Sequence, residues 1–286
     1  MLTIDNHRLV GDGVSFRMTP NHGGPFSARY LVFHYTAGSS CDSSVESLCT
    51  QKARGSASAH LVLARDGRIV QLAPFNVVTW HAGVSCWEGL TGLNKRSIGI
   101  ELDNAGRMQR VGEKFVAWFG KEFPAADVLL AEHKHGGGVM PWHIYSEVQL
   151  ARAAELAQLL VNHYDLQDVL GHEDIAPGRK QDPGPAFPLA TIASRALRSQ
   201  ASLTPFVVTS DTLNVRSGPG VSFDPIAPAL LRGAVVLLLE RVAGWSKVRV
   251  ERPDGVAGWV NQRFIAPGNR QQTRRTRANP PRYVSG

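Results

Sequence analysis

The chain has 286 residues, 43% of them hydrophobic, and a formal charge of +7. That is enough apolar material for one mid-sized domain and a smaller one in a globular, soluble protein. No stretch approaches the roughly 18 uninterrupted apolar residues of a membrane helix, and residues 1–8 hold neither a basic nor an apolar export segment, so no span and no signal of its own are expected. Five of the positive charges, Arg270, Arg274, Arg275, Arg277 and Arg282, lie in residues 266–286 without an acid among them, so the rest is nearly balanced. This basic tail has no apolar periodicity to offset the entropy of ordering and is expected to be disordered, either as a solvated end or as an electrostatic contact for an anionic partner. Cys41, Cys49 and Cys86 make no paired framework and are expected as free or buried thiols.

In chain order, Tyr30-Leu-Val-Phe-His34 reads as a buried strand that runs into a loop at Tyr35-Thr-Ala-Gly38. Residues 44–54 are compatible with a helix. Residues 60–65, the Asp66-Gly67 turn and residues 68–72 form a hairpin. Ser97-Ile-Gly-Ile-Glu-Leu102 is a second buried strand. Residues 104–145, with Gly136-Gly137-Gly138 and two prolines, are too long for a simple connection and read as an insertion or lid. Its His133 and His135 read as loop residues, and Trp142 and Tyr145 as core aromatics with a sugar- or peptide-stacking role as the alternative. Ser146 caps a helix to about Tyr164 whose face carries Val148, Ala153, Leu156, Leu160 and Val161. Strands and helices thus alternate, which implies an α/β first domain with a mixed β-sheet flanked by helices over residues 1–200. A last helix spans about 190–201. From Leu203 the pattern changes to short strands between turns, a small all-β barrel over residues 203–265.

A catalytic zinc site takes three protein ligands and leaves a fourth position open. Gly171-His172 through Asp182-Pro183-Gly184 offers two candidates in one loop, and His34 at its strand end a third. Singly, each has an ordinary explanation as a satisfied loop or turn residue.

The combination is more specific. Phe33-His34-Tyr35-Thr36-Ala37-Gly38, Ser58-Ala59-His60, Trp80-His81-Ala82-Gly83, Ser97-Ile98-Gly99-Ile100-Glu101 and the His172–Asp182 block resemble, in order, the zinc amidase family that includes the peptidoglycan recognition proteins, the phage-lysozyme type and bacterial amidases of wall recycling. The resemblance implies Zn2+ held by His34, His172 and Asp182, with Glu101 as general base and Lys180 steadying the oxyanion. It implies hydrolysis of the amide between N-acetylmuramic acid and L-alanine in peptidoglycan or muropeptides. His60 and His81 are expected near the cleft, supporting a ligand or touching substrate, with an internal structural role as the alternative. A carboxylate and an ammonium beside a metal suit such chemistry, since one can take a proton and the other can stabilise a developing oxyanion.

The second unit, with Leu213-Asn-Val-Arg-Ser-Gly-Pro-Gly220, Gly244-Trp245 and Gly258-Trp259-Val260, looks like a bacterial SH3 domain, which implies wall tethering or a partner. The competing reading is a non-catalytic peptidoglycan-recognition module; the filled ligand positions argue against it. A phosphoesterase or peptidase would call for HExxH or two-metal spacing, and neither is present. A nucleic-acid partner is not expected. The protein is expected either in the cytoplasm or delivered to the wall by a separate route.

Overall fold

The computed structural model describes residues 2–52, 55–201, 205–242, 244–250 and 256–268. The chain divides into two compact units, one of residues 1–162 and 166–198, the other of residues 163–165 and 199–286.

The larger unit is built on a six-stranded mixed sheet. Its spatial order is Asp168–Gly171, Tyr30–Tyr35, Ser97–Leu102, Leu61–Leu63, Ile69–Gln71 and Val14–Phe16. The first four strands are mutually parallel, and the hairpin Leu61–Leu63/Ile69–Gln71 reverses direction. Tyr30 to Phe33 and Ile98 and Ile100 are buried, as near-continuous apolar strands inside a parallel sheet require. Tyr30, Val32 and Leu170 pack with Ala82, Leu93 and Ile175.

The helix expected at 44–54 is Cys41–Cys49, three residues earlier, because Ser40 and Ser43 form a reciprocal capping box that starts it. Its Cys41 and Val45 pack on Val62, Ala64 and Leu72. Cys41, Cys49 and Cys86 are free thiols. The long helix Glu147–Tyr164 begins where Ser146 accepts the Gln149 amide at 3.1 Å. Its buried stripe is Ala153, Leu156, Ala157, Leu160 and Val161, whereas Val148 is 56% exposed, contrary to the sequence reading. Gln149 takes the inward position instead, since its side-chain amide donates to the carbonyls of Leu63 and Asp103 at the strand ends.

The insertion is structured. Gln109–Val111, Lys114–Val116 and Glu122–Phe123 form an antiparallel sheet, and Val128–Glu132 pairs with Val139–His143 in a second hairpin. Ala105, Met108 and Ala117 form a small core of their own with Phe115, Phe119 and Phe123. Gly136, Gly137 and Gly138 sit at the hairpin tip with φ of 82°, 112° and 77°, a region that side chains rarely enter.

The smaller unit has a five-stranded sheet ordered Ala257–Asn261, Trp245–Val250, Val235–Val242, Pro205–Val208 and Ile265–Pro267, with a second pair Thr212–Leu213/Leu230–Leu231. Phe206, Val215, Val236, Val248 and Val260 fill its core. Its last strand carries Ala266 and Pro267, two residues of the expected tail. The arginines from Arg270 onward lie outside the described residues. Among the described residues no helix is long and apolar enough to cross a membrane.

Candidate metal centre and cleft

His34 ends the strand Tyr30–Tyr35, His172 follows the strand Asp168–Gly171, and these strands are parallel neighbours, so both histidines emerge at one sheet end. Asp182 returns to them on the loop after His172. The result is a compact triangle: His34 Nδ1 lies 2.9 Å from His172 Nδ1 and 3.0 Å from Asp182 Oδ2, and His172 Nδ1 lies 2.9 Å from Asp182 Oδ2. All three residues are buried.

The surrounding carbonyls decide where the protons are. A carbonyl only accepts, so His81 Nε2–H donates to Ser97 O at 3.2 Å, which leaves His81 Nδ1 as the acceptor for His34 Nε2–H at 2.9 Å. His172 Nε2–H likewise donates to Ala82 O at 3.1 Å. Burial, first, and the neighbouring His172 push His34 down to a pKa of about 4, so its ring is neutral at pH 7. Burial works against the Asp182 charge, yet contact with His172 and His34 outweighs it and keeps that carboxyl below its ordinary range. Two imidazole nitrogens and a carboxylate oxygen therefore face one another at hydrogen-bonding distance. Three potential ligand atoms so placed can hold one cation, and a spacing of about 3 Å matches atoms that share a metal ion at roughly 2.0–2.2 Å.

Glu101 is next to this triangle by register, because Ser97–Leu102 pairs in parallel with the His34 strand and sets Glu101 opposite His34. Its Oε2 is buried with no hydrogen-bond partner among the described residues. Burial, first, and the charge of Asp182 push its pKa well above the usual carboxyl value, and Lys180 opposes them. Glu101 and Lys180 line one cleft of about 630 Å³ with His34, His172, Asp182 and Arg107.

His81 touches His34 directly and borders the cleft. The ring lies flat against the strand at Gly99, where any Cβ would run into it. His60 is elsewhere. It is fully buried, accepts the Gly99 amide at 3.0 Å and donates to Val77 O at 3.0 Å, so it knits strands together and makes no bond to the triangle.

Residues 24–185 match the protein family described as N-acetylmuramoyl-L-alanine amidase, which is more than half of the chain. The chain belongs to this amidase family. Residues 211–266 match the bacterial SH3 domain. Among curated amidases, AmiD of Escherichia coli is 34% identical over 177 residues, 59% of this chain and 53% of that protein. The 1,6-anhydro-N-acetylmuramyl-L-alanine amidase AmpD of Escherichia coli is 35% identical over 132 residues, 46% of this chain and 53% of that protein. The chain thus spans about half the length of these curated relatives. A solved complex of Escherichia coli AmiD with anhydro-N-acetylmuramic acid-L-Ala-D-gamma-Glu-L-Lys aligns over 68% of this chain and 65% of that one, at 28% identity and a TM-score of 0.44.

One part of the site has no short-range signature in the sequence. His133, read as a loop residue, is buried, stacks on Trp142 and donates from Nε2 to Glu173 Oε2 at 2.6 Å. The same Glu173 oxygen accepts the Gly184 amide at 3.2 Å, and its other oxygen is 2.9 Å from Lys134 Nζ. His135 donates to the Glu173 carbonyl at 3.0 Å. The insertion thereby grips both ends of the loop from His172 to Asp182. Trp142 is 1% exposed and Tyr145 donates its hydroxyl to Pro183 O at 2.8 Å, so both serve packing. A carboxylate directly after His172 was the available signal, but its partner lies 40 residues away.

Proposed function

We propose that this protein is a zinc-dependent N-acetylmuramoyl-L-alanine amidase, cleaving the amide between the lactyl carbonyl of N-acetylmuramic acid and the nitrogen of L-alanine. The observation that carries the reading is the convergence of three ligand atoms beside Glu101, whose Oε2 is buried and has no hydrogen-bond partner among the described residues. His34, His172 and Asp182 would hold the ion through two nitrogens and one oxygen, a three-ligand set of the catalytic kind. When bound, zinc supplies Lewis acidity and brings the pKa of water towards neutrality.

The remaining steps belong to the chain's own side chains. Glu101 takes the proton of the attacking water and gives it to the alanine nitrogen as the C–N bond breaks, leaving a lactyl carboxylate and a free amine. A carboxyl whose proton affinity is raised by burial suits the second half of that task. Lys180, on the cleft wall, stabilises negative charge on the amide oxygen. His81 holds the His34 ring so that Nδ1 faces inward, the role that a partner on the far ring nitrogen ordinarily plays. Membership of the family and the names of AmiD and AmpD support the reaction. The SH3 unit serves to tether the enzyme to wall polymer.

The test is digestion of purified sacculi and of soluble anhydro-muropeptides, with products identified by mass. The expected products are glycan or muramic acid with a free lactyl carboxyl and stem peptide beginning with L-alanine, lost on chelation and regained with zinc. Retention of wall material without any release would replace catalysis by recognition alone.

A further inference from the structure

A cavity of about 200 Å³ lies where the ends of the main sheet meet the insertion, and it shares no lining residue with the catalytic cleft. Arg65 follows the strand Leu61–Leu63 and Asp103 follows Ser97–Leu102, and the bond from the Asp103 amide to Leu63 O at 2.9 Å keeps the two together. The insertion adds Lys121, Asp127 and His143. Glu122 also borders the space, but Lys114 Nζ engages its carboxylate at 2.9 Å. Two cations and two carboxylates remain around a volume that holds roughly six or seven waters.

These groups have bonding capacity to spare. Among the described residues none of the four charges forms a salt bridge. Arg65 makes one side-chain hydrogen bond, from Nη1 to Ile144 O at 2.8 Å, and Lys121 Nζ lies 5.1 Å from the centroid of the Phe123 ring. Burial, first, raises the pKa of Asp103, and Arg65 and the Cys41 amide oppose it. His143 is 5% exposed, and its Nδ1 accepts the Ala105 amide at 3.1 Å. Burial, first, with Arg65 and Lys121, keeps this ring neutral at pH 7, so its proton sits on Nε2, and that N–H donates to nothing among the described residues. A buried donor is costly to leave without a partner, and this one borders an open space.

The signs of the lining charges select the ligand. A plain anion would face Asp103 and Asp127, a plain cation would face Arg65 and Lys121, and a neutral molecule would leave all four unmatched. We propose that this cavity is a binding site for the zwitterionic head of an α-amino acid, its carboxylate held by Arg65, Lys121 and His143 Nε2–H and its ammonium by Asp103 and Asp127. Charge-assisted bonds at both ends fix its orientation. The volume holds little beyond the head itself, so a larger molecule would present that head from outside. Gly38 and Ser39 border the cavity and directly follow Thr36 and Ala37 of the catalytic cleft, so an occupant abuts the segment beside the reaction without entering it.

Calorimetric titration of the full-length, metal-loaded protein at pH 7 tests this with L-alanine, with N-acetyl-L-alanine, which lacks the ammonium, and with L-alaninamide, which lacks the carboxylate. A further probe is a blocked peptide whose one side chain ends in an ammonium and a carboxylate on the same carbon. L-alanine is expected to bind with a Kd of about 1 mM, and each one-charge analogue about tenfold more weakly or worse. Lys121 is exposed and Asp127 half-buried, so Lys121→Met and Asp127→Asn should fold normally, and each should weaken L-alanine binding about tenfold. Equal affinity for L-alanine and the peptide identifies a free amino acid as the ligand. A peptide bound about tenfold tighter, with that gain lost in Lys121→Met, identifies a head presented on a peptide; either result supports the site. N-acetyl-L-alanine bound as tightly as L-alanine, binding unchanged in either variant, or no saturable binding of L-alanine or the peptide overturns it. The readout is binding alone, so a failure of the amidase reading would leave it untouched.

Discussion

At the scale of single residues, the proposed mechanism would have some groups hold a metal and others move protons, and substitution should distinguish them. Glu101→Gln keeps shape while removing a proton acceptor, so turnover is expected to fall by roughly 10²–10⁴ with zinc content unchanged. Lys180→Ala should lower turnover by a comparable factor, again without metal loss, because an ammonium has no lone pair to offer an ion. Zinc content and rate have to be read on the same preparations; zinc loss in Glu101→Gln would recast Glu101 as a ligand. Glu173→Gln should behave oppositely. It removes the charge that pairs with Lys134 and leaves one acceptor oxygen where two served His133, Lys134 and the Gly184 amide, so zinc affinity is expected to fall about 10–100-fold in a chelator competition. An unchanged affinity would show that the loop needs no such grip.

At the scale of elements, the parallel pairing of Tyr30–Tyr35 with Ser97–Leu102 places His34 and Glu101 side by side, and a slip of one residue would turn them to opposite faces. His60 secures the next part of that sheet. Its Nδ1 accepts the Gly99 amide and contacts the Thr79 hydroxyl at 2.9 Å, so a proton there would break the bond from Gly99. Burial holds its pKa down to about 3. Burial, first, with Arg65 and Lys121 nearby, holds that of His143 down to about 4. Because the unfolded rings take protons near pH 6.5 and the folded ones do not, the unfolded state binds more protons through that window. Stability should therefore fall as pH drops below 6.5, by about 1.4 kcal/mol per unit for each ring, flattening near pH 4 for His143 and near pH 3 for His60. Urea unfolding of the metal-free protein is expected to lose at least ~2 kcal/mol between pH 6.5 and 5. A flat profile would mean that the loss from these rings is cancelled by the raised carboxyl of Glu101, which gains stability as pH falls, or does not occur.

For the whole molecule, every residue assigned to chemistry lies before Ala201, and the SH3 unit has a core of its own. A protein ending near Ala201 should still turn over small muropeptides but lose retention on insoluble wall, since a linked module raises local concentration without adding chemistry. Sedimentation with sacculi and a soluble-substrate assay on the same sample measure the two properties. Loss of soluble-substrate turnover in a folded truncated protein would mean that the barrel shapes the active site.

The sequence by itself determined the alternation of strands and helices, the change of grammar near residue 203 and the cap at Ser146, because those follow from periodicity and from side chains a few residues apart. The candidates His34, Glu101, His172, Lys180 and Asp182 were nameable from strand-end and loop positions and a family likeness. Only the tertiary structure decided which ring nitrogens donate to the main chain, since that depends on the Ser97 and Ala82 carbonyls, 16 residues from His81 and 90 from His172. It also decided that His60 packs between strands while His81 contacts His34, and that Val148 points outward and Gln149 inward. Burial is a matter of which neighbours cover a side chain, and those neighbours come from distant parts of the chain.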